Sequence, residues 1–123
     1  MTRDELIEAA LAHAGAVEDY PFGESILTVK VGGKVFAWIP LTPSGWLGSG
    51  CRVAVKVSPS TALELRAAYP EQVYGASPLS EKTWIALRIG GKIDDDEVRD
   101  LIASSYAAVV SALPKRRRPT SSG

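Results

Sequence analysis

Residues with reactive side chains are scarce in this chain. A single cysteine, Cys51, excludes an internal disulfide, and with His13 as the only imidazole there is no Cys/His set for a structural zinc. Paired carboxylates of unlike environment, a Ser/His/Asp set and a cofactor loop are all missing, so no enzyme, metal or cofactor is expected. Gly32-Gly33-Lys34 and Gly90-Gly91-Lys92 do not make a phosphate loop, because the lysines precede Val35 and Ile93 and the G-x-x-x-x-G-K-[ST] spacing is absent. The acidic run Asp94-Asp95-Asp96-Glu97 lacks the glycine and the later acidic group of a calcium loop, and reads instead as a helix start. No apolar run approaches the roughly 20 residues of a bilayer span. The opening Met-Thr-Arg-Asp-Glu is acidic where a secretion signal is basic and then apolar, so a cytoplasmic protein with no membrane partner is expected.

What is present suits one soluble domain. The 123 residues are 46% hydrophobic and 23% charged, enough to bury roughly two thirds of the unfolded surface in a single core. Fourteen basic residues balance fourteen acidic ones, but Lys115, Arg116, Arg117 and Arg118 stand together after the last apolar residue. The remaining body carries ten basic residues against fourteen acidic, about −4, which counts against a grip on nucleic acid by the whole surface.

The stretch Lys82 to Asp96 organises the chain. Alternation places Ile85, Leu87 and Ile89 on one face of a strand and Trp84, Ala86 and Arg88, with Lys82 just ahead, on the other. Gly90-Gly91 breaks the strand, and the aspartates begin a helix. Earlier, Thr2 and Glu5 match a capping box for a helix over 3–14, which Gly15 stops; His13, in the last turn, suits the helix dipole as a partial cation. Tyr20 and Phe22 around Pro21 are expected to fix that helix against the sheet. Residues 26–31 and 34–39 form a hairpin about Gly32-Gly33, pairing Val29 with Phe36 and Leu27 with Trp38, all four in the core.

Residues 40–50 form the longest loop, whose Trp46-Leu47 pair either tucks back or meets a partner. In the strand 52–57, Val53, Val55 and Val57 alternate with Arg52, Ala54 and Lys56. Ser58-Pro59 opens a helix over 59–69, and residues 73–78 are extended or turn. Val98, Leu101, Ile102, Ser105, Tyr106, Val109, Val110 and Leu113 make the stripe of a long helix, 95–113, closed by Pro114. The fold class is therefore α+β: one antiparallel sheet with helices packed on one face, in the order α-β-β-β-α-β-β-α. Residues 1–114 form the domain and 115–123 a basic, disordered tail.

With these residues in place the chain resembles the MmcQ/YjbR family over about residues 4–116. The resemblance rests on Tyr20-Pro21-Phe22-Gly23, Lys56, Tyr69-Pro70, Lys82-Thr83-Trp84-Ile85, Ser104-Ser105-Tyr106 and Leu113-Pro114. The family usually has lysine at the place of Glu81 and histidine at that of Thr83. The resemblance implies a CyaY-like fold, also compared with type III secretion chaperones, and DNA binding. The residues that would serve DNA are Lys56, Lys82, Trp84 and Arg88 on one sheet face, as a cationic platform with an aromatic, and Lys115, Arg116, Arg117 and Arg118 in the tail. The alternative is a protein-interaction module that holds a peptide or a second copy of itself at the sheet edge or the Trp46 loop.

Overall fold

The computed structural model describes residues 1–119. Three helices and a six-stranded antiparallel sheet make up an α+β domain: α1 (Arg3–Leu11), β1 (Val17–Asp19), β2 (Ile26–Val31), β3 (Lys34–Pro40), β4 (Ser44–Gly45), β5 (Gly48–Ser49), β6 (Arg52–Lys56), α2 (Pro59–Ala68), β7 (Val73–Tyr74), β8 (Trp84–Arg88) and α3 (Asp95–Ala112). The sheet order is β1-β2-β3-β6-β8-β7, while β4 and β5 pair only with each other inside the long loop. β1 escapes a periodicity reading because three residues, two of them acidic, show no alternation. It is an edge strand that pairs with β2.

Each helix starts where a side chain can take up its free N–H groups. Thr2 and Glu5 cap each other's backbone, Ser58 accepts from the Thr61 N–H, and Asp94 accepts from the Glu97 N–H at 2.8 Å. Asp96 is further engaged by Arg99 at 3.2 Å, so the acidic run serves the helix start. α1 stops at Leu11, three residues early, which leaves His13 outside the helix. Val98, Ile102, Ser105 and Val109 of α3 are buried over the sheet, together with Leu6 and Ala10 of α1 and Ala62 of α2.

The hairpin departs from the expected pairing. Val31 faces Lys34, but the register shifts between Val29 and Lys30: Lys30 faces Val35 and Val29 faces Ala37, so Phe36 has no partner across the ladder. One extra residue in β3 turns everything beyond it to the other face. Phe36, Ala37 and Ile39 all sit in the core under the helices, and Trp38, expected there opposite Leu27, pairs with Thr28 on the opposite face. The turn itself is as expected, with Gly32 and Gly33 both at positive φ (57° and 83°). Gly32 is required twice over, since a Cβ there would lie 2.5 Å from the Leu113 side chain and 2.8 Å from the Arg117 carbonyl.

The face away from the helices is covered too. Thr28, Trp38, Ala54, Ala86 and Tyr74 form one row across five strands, and Leu47, Ala76, Trp46 and Leu79 pack onto it. The small Ala54 and Ala86 side chains let the loop come close. Arg52, expected on a half-exposed face, is fully buried and donates to the carbonyls of Thr42 (2.7 Å), Gly50 (2.7 Å) and Trp46 (3.1 Å), which staples the loop to β6. Burial works against its charge, but a guanidinium stays protonated and its several donors suit convergent carbonyls. Trp46 is tucked back, its indole N–H donating to the Ser77 carbonyl at 2.7 Å. Phe22, expected to brace α1, lies on this second face, stacked on Trp38 (centroids 6.0 Å, planes 23°).

Candidate nucleic-acid interface

β3 and β6 pair through only two rungs, Ala37 with Val55 and Trp38 with Ala54, and separate toward Lys34 and Lys56. Ser105 of α3 fills the gap. Its buried hydroxyl accepts from the Lys56 N–H at 2.8 Å and donates to the Phe36 carbonyl at 2.6 Å, linking two strands that no longer bond directly. Ser105→Ala removes the partner of both backbone groups at once and is expected to cost about 1–3 kcal/mol, more than a neutral hydrogen bond alone contributes. Urea unfolding checks this, with Ser104→Ala, an exposed neighbour on the same helix, expected to leave the midpoint unchanged.

The separation leaves an open groove of 370 Å³ whose cationic members are Lys34, Lys56 and Arg117, with Trp84 and the apolar end of α3, Val109 to Pro114, as floor and wall. No acidic residue lines it. Lys56 and Trp84 face each other across β6 and β8, and Lys82 lies just ahead of Trp84 on the approach to the strand. Among the described residues none of these cations is paired with a carboxylate.

Arg88 does not join them. It pairs with Arg52 at the far end of β8, four residues or about 13 Å from Trp84. The rung between, Ala54 with Ala86, lies under Leu47 and Ala76, so the continuous cationic face expected of Lys56, Lys82, Trp84 and Arg88 is split in two. The tail, expected to be disordered from residue 115, folds back as far as Pro119. Lys115–Arg117 form a turn of 3-10 helix, and Arg118 donates to the carbonyls of Leu113 (3.0 Å) and Ser111 (3.1 Å). Arg117 is thereby brought to the groove while Arg118 is occupied elsewhere; residues 120–123 lie outside the described residues. Lys34 escaped sequence reasoning because it shares a groove with Lys56 only across the gap that Ser105 of α3 bridges, which no local pattern records.

The remaining titratable candidates have structural roles. His13 stacks on Tyr106 (4.7 Å, 22°) and meets Phe36 edge-on, and burial lowers its pKa, the reverse of the dipole-stabilised cation expected of it. Tyr106 in turn donates to the Ala14 carbonyl at 2.6 Å, which ties α3 to the end of α1. Burial pushes the Cys51 thiol up, away from thiolate reactivity.

The fold and the groove define a class: a small α+β domain built on a six-stranded sheet, helices on one face and a stapled loop on the other, with a cationic, aromatic groove beside the last helix. The YjbR family model matches residues 11–108, and the chain belongs to the YjbR family. It is 32% identical over 97 residues, 79% of this chain and 75% of the relative, to the uncharacterized protein YbdF of Escherichia coli O157:H7. Among solved structures, Deinococcus radiodurans protein DR2400, assigned to family-model domain DUF419, superposes with a TM-score of 0.83 at 25% identity, covering 94% of this chain and 84% of that one. A Pseudomonas syringae protein superposes with a TM-score of 0.68 at 21% identity, over 88% of this chain and 98% of that one, and shares the fold. One of the motifs that carried the resemblance, Ser104-Ser105-Tyr106, now has physical reasons: Ser105 bridges β3 and β6, and Tyr106 ties α3 to Ala14 just past α1.

Proposed function

We propose that this chain is a non-catalytic nucleic-acid-binding module that holds the phosphate backbone in the groove and lays one unpaired base on Trp84. The observation that carries this reading is the groove itself, in which unpaired cations from three separate elements surround a half-buried indole with no acidic residue among them. Phosphate contacts of this kind position a strand without reading its sequence, so binding is weak and indifferent to sequence. Among the described residues no helix beside the groove carries a row of Arg, Asn or Gln, which fits the same reading. An indole can accept a base only after that base has left the duplex stack, which favours single strands.

The test is fluorescence anisotropy with a labelled oligothymidylate and a duplex of equal length at low salt. Trp84→Ala is expected to weaken single-strand binding by roughly 5- to 100-fold, the range that base stacking contributes, while changing duplex affinity little. Equal loss on both substrates would place the indole in a structural role, and no binding at about 50 mM salt, where backbone attraction is strong, would end the proposal.

A further inference from the structure

We infer that the apolar cleft on the loop-covered face is a docking site for one large apolar side chain carried on a basic, extended segment of a partner protein. The cleft is separate from the cationic groove, and the two stand or fall independently. Phe22, Ile26, Trp38, Trp46, Pro78 and Leu79 line 270 Å³ of open space. Phe22 is 63% exposed, although it stacks on Trp38, and Trp38 meets Trp46 edge to face at 5.6 Å and 78°. An aromatic held this far out of the core gains little for the fold.

The walls are set before anything binds. Trp46 is held by its bond to Ser77, Tyr74 donates its hydroxyl to the Leu47 carbonyl, and Arg52 holds the loop from beneath. A preformed site spares the ordering cost that a mobile one would incur.

Three observations select the occupant. The cleft exposes only apolar surface, the Trp46 indole N–H being bonded to Ser77 and that of Trp38 buried, so a phosphate, carboxylate or sugar placed there would lose water without gaining a partner. The volume falls just short of the roughly 300–1,000 Å³ that drug-sized ligands occupy, and suits the side chain of a leucine, phenylalanine or tryptophan. The segment that presents Phe22, from Glu18 to Glu24, carries three acids and no cation. Asp19 is neutralised by Lys30 at 2.6 Å, while the exposed Glu24, two residues from both Phe22 and Ile26 of the lining, has no ion-pair partner among the described residues and keeps its charge. A lysine or arginine flanking the inserted side chain answers that charge.

The three indole N–H signals of the isotope-labelled protein report the test, because Trp38 and Trp46 line the cleft and Trp84 lines the other groove. The probes are a blocked Lys-Gly-Phe-Gly-Lys peptide, the same peptide with alanine for phenylalanine, and the same with glutamate for both lysines. Saturable shifts of the Trp38 and Trp46 signals with the first peptide, an unmoved Trp84 signal, and binding about tenfold or more weaker for the other two are expected from the apolar area and charge removed. Phe22→Ser should abolish the shifts without disturbing the remaining amide spectrum, whereas Leu63→Ser, at an equally exposed apolar position on α2, should leave them intact. The proposal is overturned if the alanine peptide binds as well, if Trp84 alone responds, or if free indole saturates the cleft as tightly as the phenylalanine peptide. It is equally overturned if the protein dimerises through this face, with Phe22→Ser restoring the monomer, since the occupant is then a second copy.

Discussion

Phe36→Ala is expected to destabilise the domain by about 3–5 kcal/mol, the range for deleting a fully buried aromatic side chain. Phe36 is completely buried at the bulge of β3, where its ring meets Tyr106 edge-on at 5.3 Å and His13 at 6.0 Å. Removing it takes apolar contacts from α3 and from His13 in the turn after α1 at the point where β3 and β6 part, and elements held by a serine bridge and a tyrosine hydroxyl have little room to collapse into the void. Trp38→Ala removes a larger side chain but from the half-buried second face, and is expected to cost less than Phe36→Ala. Urea midpoints of the two variants decide the point. If Trp38→Ala proved the costlier, the hairpin would be paired without the bulge and the tryptophan would belong to the main core.

The largest effect on binding should come from salt. Lys34, Lys56 and Arg117 line the groove, Lys82 precedes Trp84 by two residues and Lys115 and Arg116 share the 3-10 turn of Arg117, while Arg88 lies at the far end of β8 and Arg118 is occupied by two carbonyls. If all six meet phosphates, duplex affinity should fall with a slope of about −5 in log salt, roughly a thousandfold between 50 and 200 mM, and single-strand affinity with a slope of about −4. The triple change Lys115→Gln, Arg116→Gln and Arg117→Gln should remove about half of the slope, and Lys34→Gln with Lys56→Gln about a third, while Arg88→Gln should leave it unchanged. Anisotropy titrations across that salt range check all three variants. A slope that dropped with Arg88→Gln would mean that nucleic acid crosses the covered face after all.

Much of the fold was legible in the sequence because its elements announce themselves locally. The stripe from Val98 to Leu113 needs only the 3.6-residue period of a helix, the row Val53, Val55, Val57 only the two-residue period of a strand, and Thr2, Ser58 and Asp94 only the free N–H groups of a helix start. The Gly32-Gly33 turn was legible for the same reason, since two consecutive positive φ angles favour glycine.

The candidate site was legible only in pieces. Lys56 and Trp84 were identifiable as neighbours on one face of paired strands, and they face each other across β6 and β8, with Lys82 in the turn just ahead of Trp84. Lys34 lay outside that reading, and Arg88, on the same face but at the far rung, is parted from Trp84 by the loop over Ala54 and Ala86, because a sheet face is open only where nothing folds over it. The covering loop is placed by Arg52, whose sequence position looks like any solvent-facing arginine between valines.

The sequence by itself determined the fold class, the helices and strands of the core, the caps, the tight turn and the concentration of cations after the last helix, all properties of neighbouring residues. Tertiary structure alone decided the side of the sheet on which Trp38 lies, the gap that Ser105 fills, the burial of Arg52, and the return of Arg117 to Lys34 and Lys56. One unpaired residue in a strand inverts every side chain beyond it, and that residue, Phe36, gives its carbonyl to Ser105 of α3, 69 positions away. Local periodicity holds no record of contacts at that distance.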